Sequence, residues 1–149
     1  MVHKIPVKDA HLFADQELGV SKWHTITERQ IKLFGEVTGD DHWPHSDVER
    51  ATKAFGGIIA QGFLTLSVVA HLWKDVAEFT DYRIGLNYGC DRTRFTAPVR
   101  PGDRVRLRAT MRPPRPKGDG VILTVHCVVE ADGKERPALV TDWSEMYFV

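Results

Sequence analysis

Twenty consecutive residues, Ala54 to Trp73, carry no charged side chain. A run of that length either crosses a bilayer or lies inside a protein. Gly56-Gly57 and Gln61-Gly62 interrupt it, and Thr65, Ser67 and His71 are polar. The expectation is therefore a loop leading into a buried helix, with no membrane span. That helix is expected over Gly62 to Phe79, roughly 27 Å long at ~1.5 Å per residue. Its first turns, "FLTLSVVAHLW", are apolar almost all round, and charge appears only at Lys74, Asp75 and Glu78. A helix apolar on most sides has to be covered on most sides.

The covering elements follow it. "RVRLRATMR" puts Val105, Leu107, Ala109 and Met111 on one face and Arg104, Arg106, Arg108 and Arg112 on the other, the period of a half-buried strand. "VILTVHCVVE" reads as a central strand, Asp132-Gly133 as a hairpin signal, and "PALVTDWSEMYFV" as a closing strand. "RIGLNYG" and "CDRTRFTAPV" read as two earlier strands, and "PPRPKGDG" as a loop. The fold class is α+β, a long central helix wrapped by an antiparallel sheet, in one domain over residues 1–149.

The N-terminal half reads as helical. Thr27 and Gln30 form a capping-box pattern, and Ile31, Phe34 and Val37 follow at roughly helical spacing. Gly39 suits the left-handed residue that ends such a helix. Asp47 is placed to cap a second short helix, "VERATKAF".

Lys plus Arg and Asp plus Glu both number 20, giving zero net charge. This argues against a nucleic-acid or anionic-membrane partner and mildly favours a defined oligomer. "MVHKIPVKDAHLF" has no apolar core of a signal peptide. Cys90 and Cys127 are far apart and make no disulfide framework. A reducing, cytoplasmic setting is expected.

Between the helices lies "TGDDHWPHSD", with Asp40, Asp41, His42 and His45 crowded together. Three readings are open on residue types. It is a polar turn after a helix end, a metal site, or an acid/base pair sharing one water. No HExxH or Cys/His array supports metal. Farther on, Gly62 at a helix start offers a backbone N–H without an intrahelical partner, suited to meeting negative charge on an oxygen.

In order and spacing, the two stretches resemble the MaoC-like, (R)-specific enoyl-CoA hydratase family, including its NodN-like branch. Gly39, Asp40, His42, His45 and Asp47 match the first half of the family pattern. Ile59, Ala60, Gln61 and Gly62 match the second half. The resemblance runs from about Trp23 to the end and implies a hot-dog fold and a homodimer with the site near the interface. It implies reversible hydration of a trans-2-enoyl thioester, on CoA or an acyl carrier, to the (3R)-hydroxyacyl thioester. Asp40 and His45 would handle the water, Gly62 would give the oxyanion N–H, and Ser67 would line the site. No metal and no cofactor beyond the substrate's CoA is implied. Two positions depart from the pattern: Gln61 replaces a His, and His42 replaces an amide. These two motivate an alternative, a non-catalytic acyl-thioester-binding protein; a hot-dog acyl-CoA thioesterase is another. Asp41 reads as an exposed neighbour, His71 as a satisfied core group, and Cys90 and Cys127 as small core residues.

Overall fold

The computed structural model of the chain describes residues 2–149. In chain order it runs β1 (His3–Pro6), a 3-10 turn (Val7–Phe13), β2 (Glu17–Val20) and β3 (His24–Thr25). The helices follow: α1 (Glu28–Thr38), α2 (Trp43–Ser46), α3 (Val48–Phe55), α4 (Gly62–Ser67) and α5 (Val69–Trp73). Then come β4 (Ala77–Thr80), β5 (Ile84–Phe95), β6 (Arg104–Met111), β7 (Arg115–Lys117), β8 (Gly120–Ala131) and β9 (Leu139–Phe148). The main sheet has the order β2-β6-β8-β9-β5, with β3 added to β6 and β7 to β8. Every pairing in it is antiparallel.

One face of this sheet carries the core. Val105, Leu107, Ala109 and Met111 are fully buried, as their alternation predicts, and pack with Leu123, Val125, Cys127 and Val129 of β8. Leu64 of α4, Val69 and Leu72 of α5, and Val68 between the two helices fill the same cluster. Each such aliphatic side chain contributes about 1.5–3 kcal/mol on burial. On the opposite face the β6 arginines are paired across strands. Arg106 and Arg108 both reach Glu130, at 2.6 and 2.8 Å, and Arg108 also reaches Glu17 at 2.8 Å.

The single long helix is the main correction. The helical run stops at Trp73 and is broken at Val68 into α4 and α5. Ser67 Oγ donates to the Phe63 carbonyl at 2.7 Å, a bond that bends helices, and β-branched Val68 and Val69 crowd the next turn. Past Trp73 the last turn tightens to i→i+3 bonds, Asp75 N–H to Leu72 at 3.1 Å and Val76 N–H to Trp73 at 2.8 Å. Residues 77–79 then alternate buried, exposed, buried and pair in parallel with β1 instead of continuing the helix.

Other expectations shift in smaller ways. β1, β2 and β3 lie in a half that reads as helical, and "PPRPKGDG" contains β7, hairpinned onto β8. The two strands expected before β6 are one continuous β5, bent by bulges at Asn87/Gly89 and Asp91/Arg94. Val37 is 84% exposed, so the buried stripe of α1 is Ile31 and Gly35, with Phe34 half-buried.

Candidate functional site

The segment between α1 and α3 is fixed at both ends. Thr27 Oγ1 accepts from Gln30 N–H at 3.1 Å and Gln30 Oε1 accepts from Thr27 N–H at 2.8 Å, completing the capping box of α1. Gly39 ends that helix with φ 74°, left-handed backbone that favours glycine. Asp40 N–H turns back onto Thr38 Oγ1 at 3.3 Å. Pro44 sits in the first turn of α2, where its missing N–H does no harm. Asp47 Oδ1 accepts from Arg50 N–H at 2.9 Å and caps α3 as expected. Trp43 stacks on Phe55, 5.6 Å between centroids, and carries Arg50 over its ring at 4.2 Å, locking α2 to α3.

This places His45 with a defined tautomer. Its Nδ1 lies 2.7 Å from the Ile59 carbonyl. A carbonyl only accepts, so Nδ1 holds the proton and the neutral ring leaves Nε2 with its lone pair. The Ile59 segment is itself held. Ile59 N–H donates to Pro44 at 3.1 Å, and Ala60 N–H donates to Val99 at 2.7 Å.

Asp40 and His45 meet in one cavity of about 450 Å³, lined also by Gly39, Asp41, Ile58 and Gln61. Both side chains are half-buried. On its other side His45 borders a second cavity, about 310 Å³, with Ala60, Gly62, Thr65 and Phe95. His45 thus stands between Asp40 and Gly62. As the first residue of α4, Gly62 has an N–H with no intrahelical partner. A Cβ there would come within 3.1 Å of the Phe95 ring.

The remaining sequence candidates separate. Ser67 lies apart from both cavities, in a groove with Leu66, Ala70, Cys90 and Trp143. His42 is exposed, caps α2 without a side-chain bond, and lines neither cavity at His45. Gln61 is 1% exposed, and its Nε2 donates to the carbonyls of Ile31 and Asp40. Asp41 is exposed, as expected. His71 is exposed instead of a core group and lies 4.8 Å from the His24 ring, while Cys90 is exposed on β5. Among the described residues, no group of three or more His, Cys, Asp or Glu side chains is arranged to hold a metal, and no helix is long and apolar enough to cross a membrane.

Sequence reasoning missed the Ile59 carbonyl and Gly35. A main-chain acceptor leaves no trace in residue type. Gly35 did leave a signal, as a lone glycine inside a helical pattern marks close packing.

The sequence model of the MaoC like domain matches residues 11–129. Nodulation protein N of Rhizobium meliloti is 38% identical over 146 residues, covering 95% of this chain and 91% of that protein. The 3-hydroxyacyl-thioester dehydratase Z of Mycobacterium tuberculosis is 37% identical over 138 residues, 91% of each. A monoamine oxidase regulatory protein from Archaeoglobus fulgidus superposes with a TM-score of 0.80 at 25% identity, covering 100% of this chain and 99% of that one. R-Hydratase PhaJ1 from Pseudomonas aeruginosa superposes at 0.71 and 24% identity, over 99% and 88% of the two chains. The architecture is the hot-dog-like α+β fold, built with several short helices.

Proposed function

Because the chain belongs to the MaoC-like dehydratase family, we propose that it hydrates trans-2-enoyl thioesters reversibly to (3R)-hydroxyacyl thioesters. The observation that carries this reading is His45. Its Nδ1–H is committed to Ile59, which leaves Nε2 as the ring's proton acceptor, and His45 and Asp40 line one cavity. A relative at 37% identity bears the name of a 3-hydroxyacyl-thioester dehydratase.

The residues divide the chemistry as follows. Water is a weak nucleophile, so the Asp40/His45 pair takes its proton as the oxygen bonds to C3. The C2–C3 π electrons move toward the thioester carbonyl, whose oxygen gains negative charge. Gly62 N–H donates to that oxygen, reinforced by the positive end of α4. The electrons then return to C2, which receives a proton from the same pair. Each proton transfer so assisted contributes ~10²–10⁴-fold in rate. Ser67 and His42 have no role that their placement supports within one chain.

We assign the active form to a homodimer paired along β5. That strand is twelve residues long, is bonded on only one side by β9 among the described residues, and exposes Ile84, Leu86, Tyr88 and Phe95. A long exposed edge of this kind is a template for another strand. The unpaired Cys90 and Cys127 fit a reducing compartment, the cytoplasm.

The test is addition of crotonyl-CoA with two simultaneous readouts, loss of the conjugated double bond and release of free thiol. Loss of conjugation without thiol is expected. Thiol release would instead identify a thioesterase, and binding with neither change would identify a binding protein.

A further inference from the structure

Gln61 is the largest buried polar side chain next to the proposed site, and the reaction above gives it no task. Its amide orientation is settled by its neighbours. Both groups facing Nε2 are carbonyls, Ile31 at 3.1 Å and Asp40 at 3.2 Å, so the NH₂ must point at them. Oε1 is then left with no hydrogen-bond partner among the described residues. Burying an unpaired acceptor is unfavourable, so the two donated bonds are what the position retains.

Those bonds join three elements. Ile31 lies in α1, Asp40 begins the segment that leads to His45, and Gln61 is the N-cap of α4. The peptide linking Gln61 to Gly62 carries the Gly62 N–H itself. The Gln61 carbonyl is tied in turn, accepting from Thr65 N–H at 3.2 Å and Thr65 Oγ1 at 3.5 Å. The packing leaves little slack. A Cβ on Gly35 would lie 3.1 Å from the Asp40 carbonyl oxygen and 3.4 Å from Gln61 Nε2. Gln61 itself is too enclosed to take hold of a substrate.

We propose that Gln61 is a positioning residue, holding the Asp40 main chain through its side chain while its own peptide presents the Gly62 N–H. This rests on the hydratase reading of the site. It sets the distance between the water-handling side and the oxyanion side by a single side chain.

Two substitutions test it. Gln61→Met keeps length and volume but removes both donors. Gly35→Ala improves helix propensity while pressing a methyl against the Asp40 carbonyl. Both are expected to lower kcat on crotonyl-CoA by at least ~10-fold, the scale on which misplaced reacting groups act, with KM essentially unchanged. Both are also expected to speed amide hydrogen exchange over residues 36–43, leaving β6 and β8 protected. An unchanged kcat, or a raised KM with kcat intact, overturns the proposal. If the parent protein turns over no enoyl thioester, the hydratase reading fails, and the exchange comparison still decides the positioning role. Unchanged exchange over residues 36–43 in both variants overturns it.

Discussion

At the scale of single residues, the site depends on backbone groups as much as on side chains. Gly62 shows this best, since its proposed contribution is an N–H. Proline fits the first position of a helix, and Gln61 before it already has φ −59° and ψ 138°, backbone that precedes proline comfortably. Gly62→Pro therefore removes the donor while keeping α4, and Gly62→Ala adds a Cβ while keeping the donor. Both variants press on Phe95, so their difference isolates the N–H. Gly62→Pro is expected to fall ~10²-fold or more below Gly62→Ala in kcat, with similar circular dichroism. Equal activities would remove Gly62 from the oxyanion role. The motif named Asp40, His45 and Gly62, the three positions that the proposed reaction uses. The carbonyl that fixes the His45 tautomer was not, because Ile59 contributes its backbone and any residue type supplies one.

At the scale of elements, local signals were read well and long-range ones were not. The capping box at Thr27, the glycine stop at Gly39 and the Asp47 cap all lie within a few residues of what they control. The end of the central helix does not. Residues 77–79 become β4 because β1 waits for them, more than 70 positions earlier in the chain. The β3–α5 contact is another such pairing, and it is pH-sensitive. Burial, helped by the neighbouring His71, lowers the His24 pKa below its ordinary 6.5. The unfolded chain then takes up the proton first as pH falls. Stability from this contact is full above pH 6.5 and is lost as pH falls from there toward the folded value. His24→Gln is expected to flatten the fall in Tm between pH 7.5 and pH 5.5, about a unit either side of that value. An identical slope in the variant would show that the contact does not titrate.

At the scale of the whole molecule, the exposed edge of β5 organises the proposed assembly. Inward-facing strands of the sheet were readable from alternation because one face is buried. β5 is exposed on nearly every residue, so no alternation marks it as one strand, and the sequence splits it in two. Leu86→Lys, at a 55% exposed position on that edge, is expected to convert a dimer to a monomer in sedimentation. An unchanged mass would move the interface elsewhere. In the proposed reaction Asp40 and His45 add water to an enoyl thioester from one face. The most direct measurement is the configuration of the product formed from crotonyl-CoA by the parent protein and by its Asp40→Asn variant. The expected result is (3R)-hydroxybutyryl-CoA from the parent and at least ~10²-fold slower formation from the variant at unchanged Tm. A (3S) product, or a variant as fast as the parent, would contradict it.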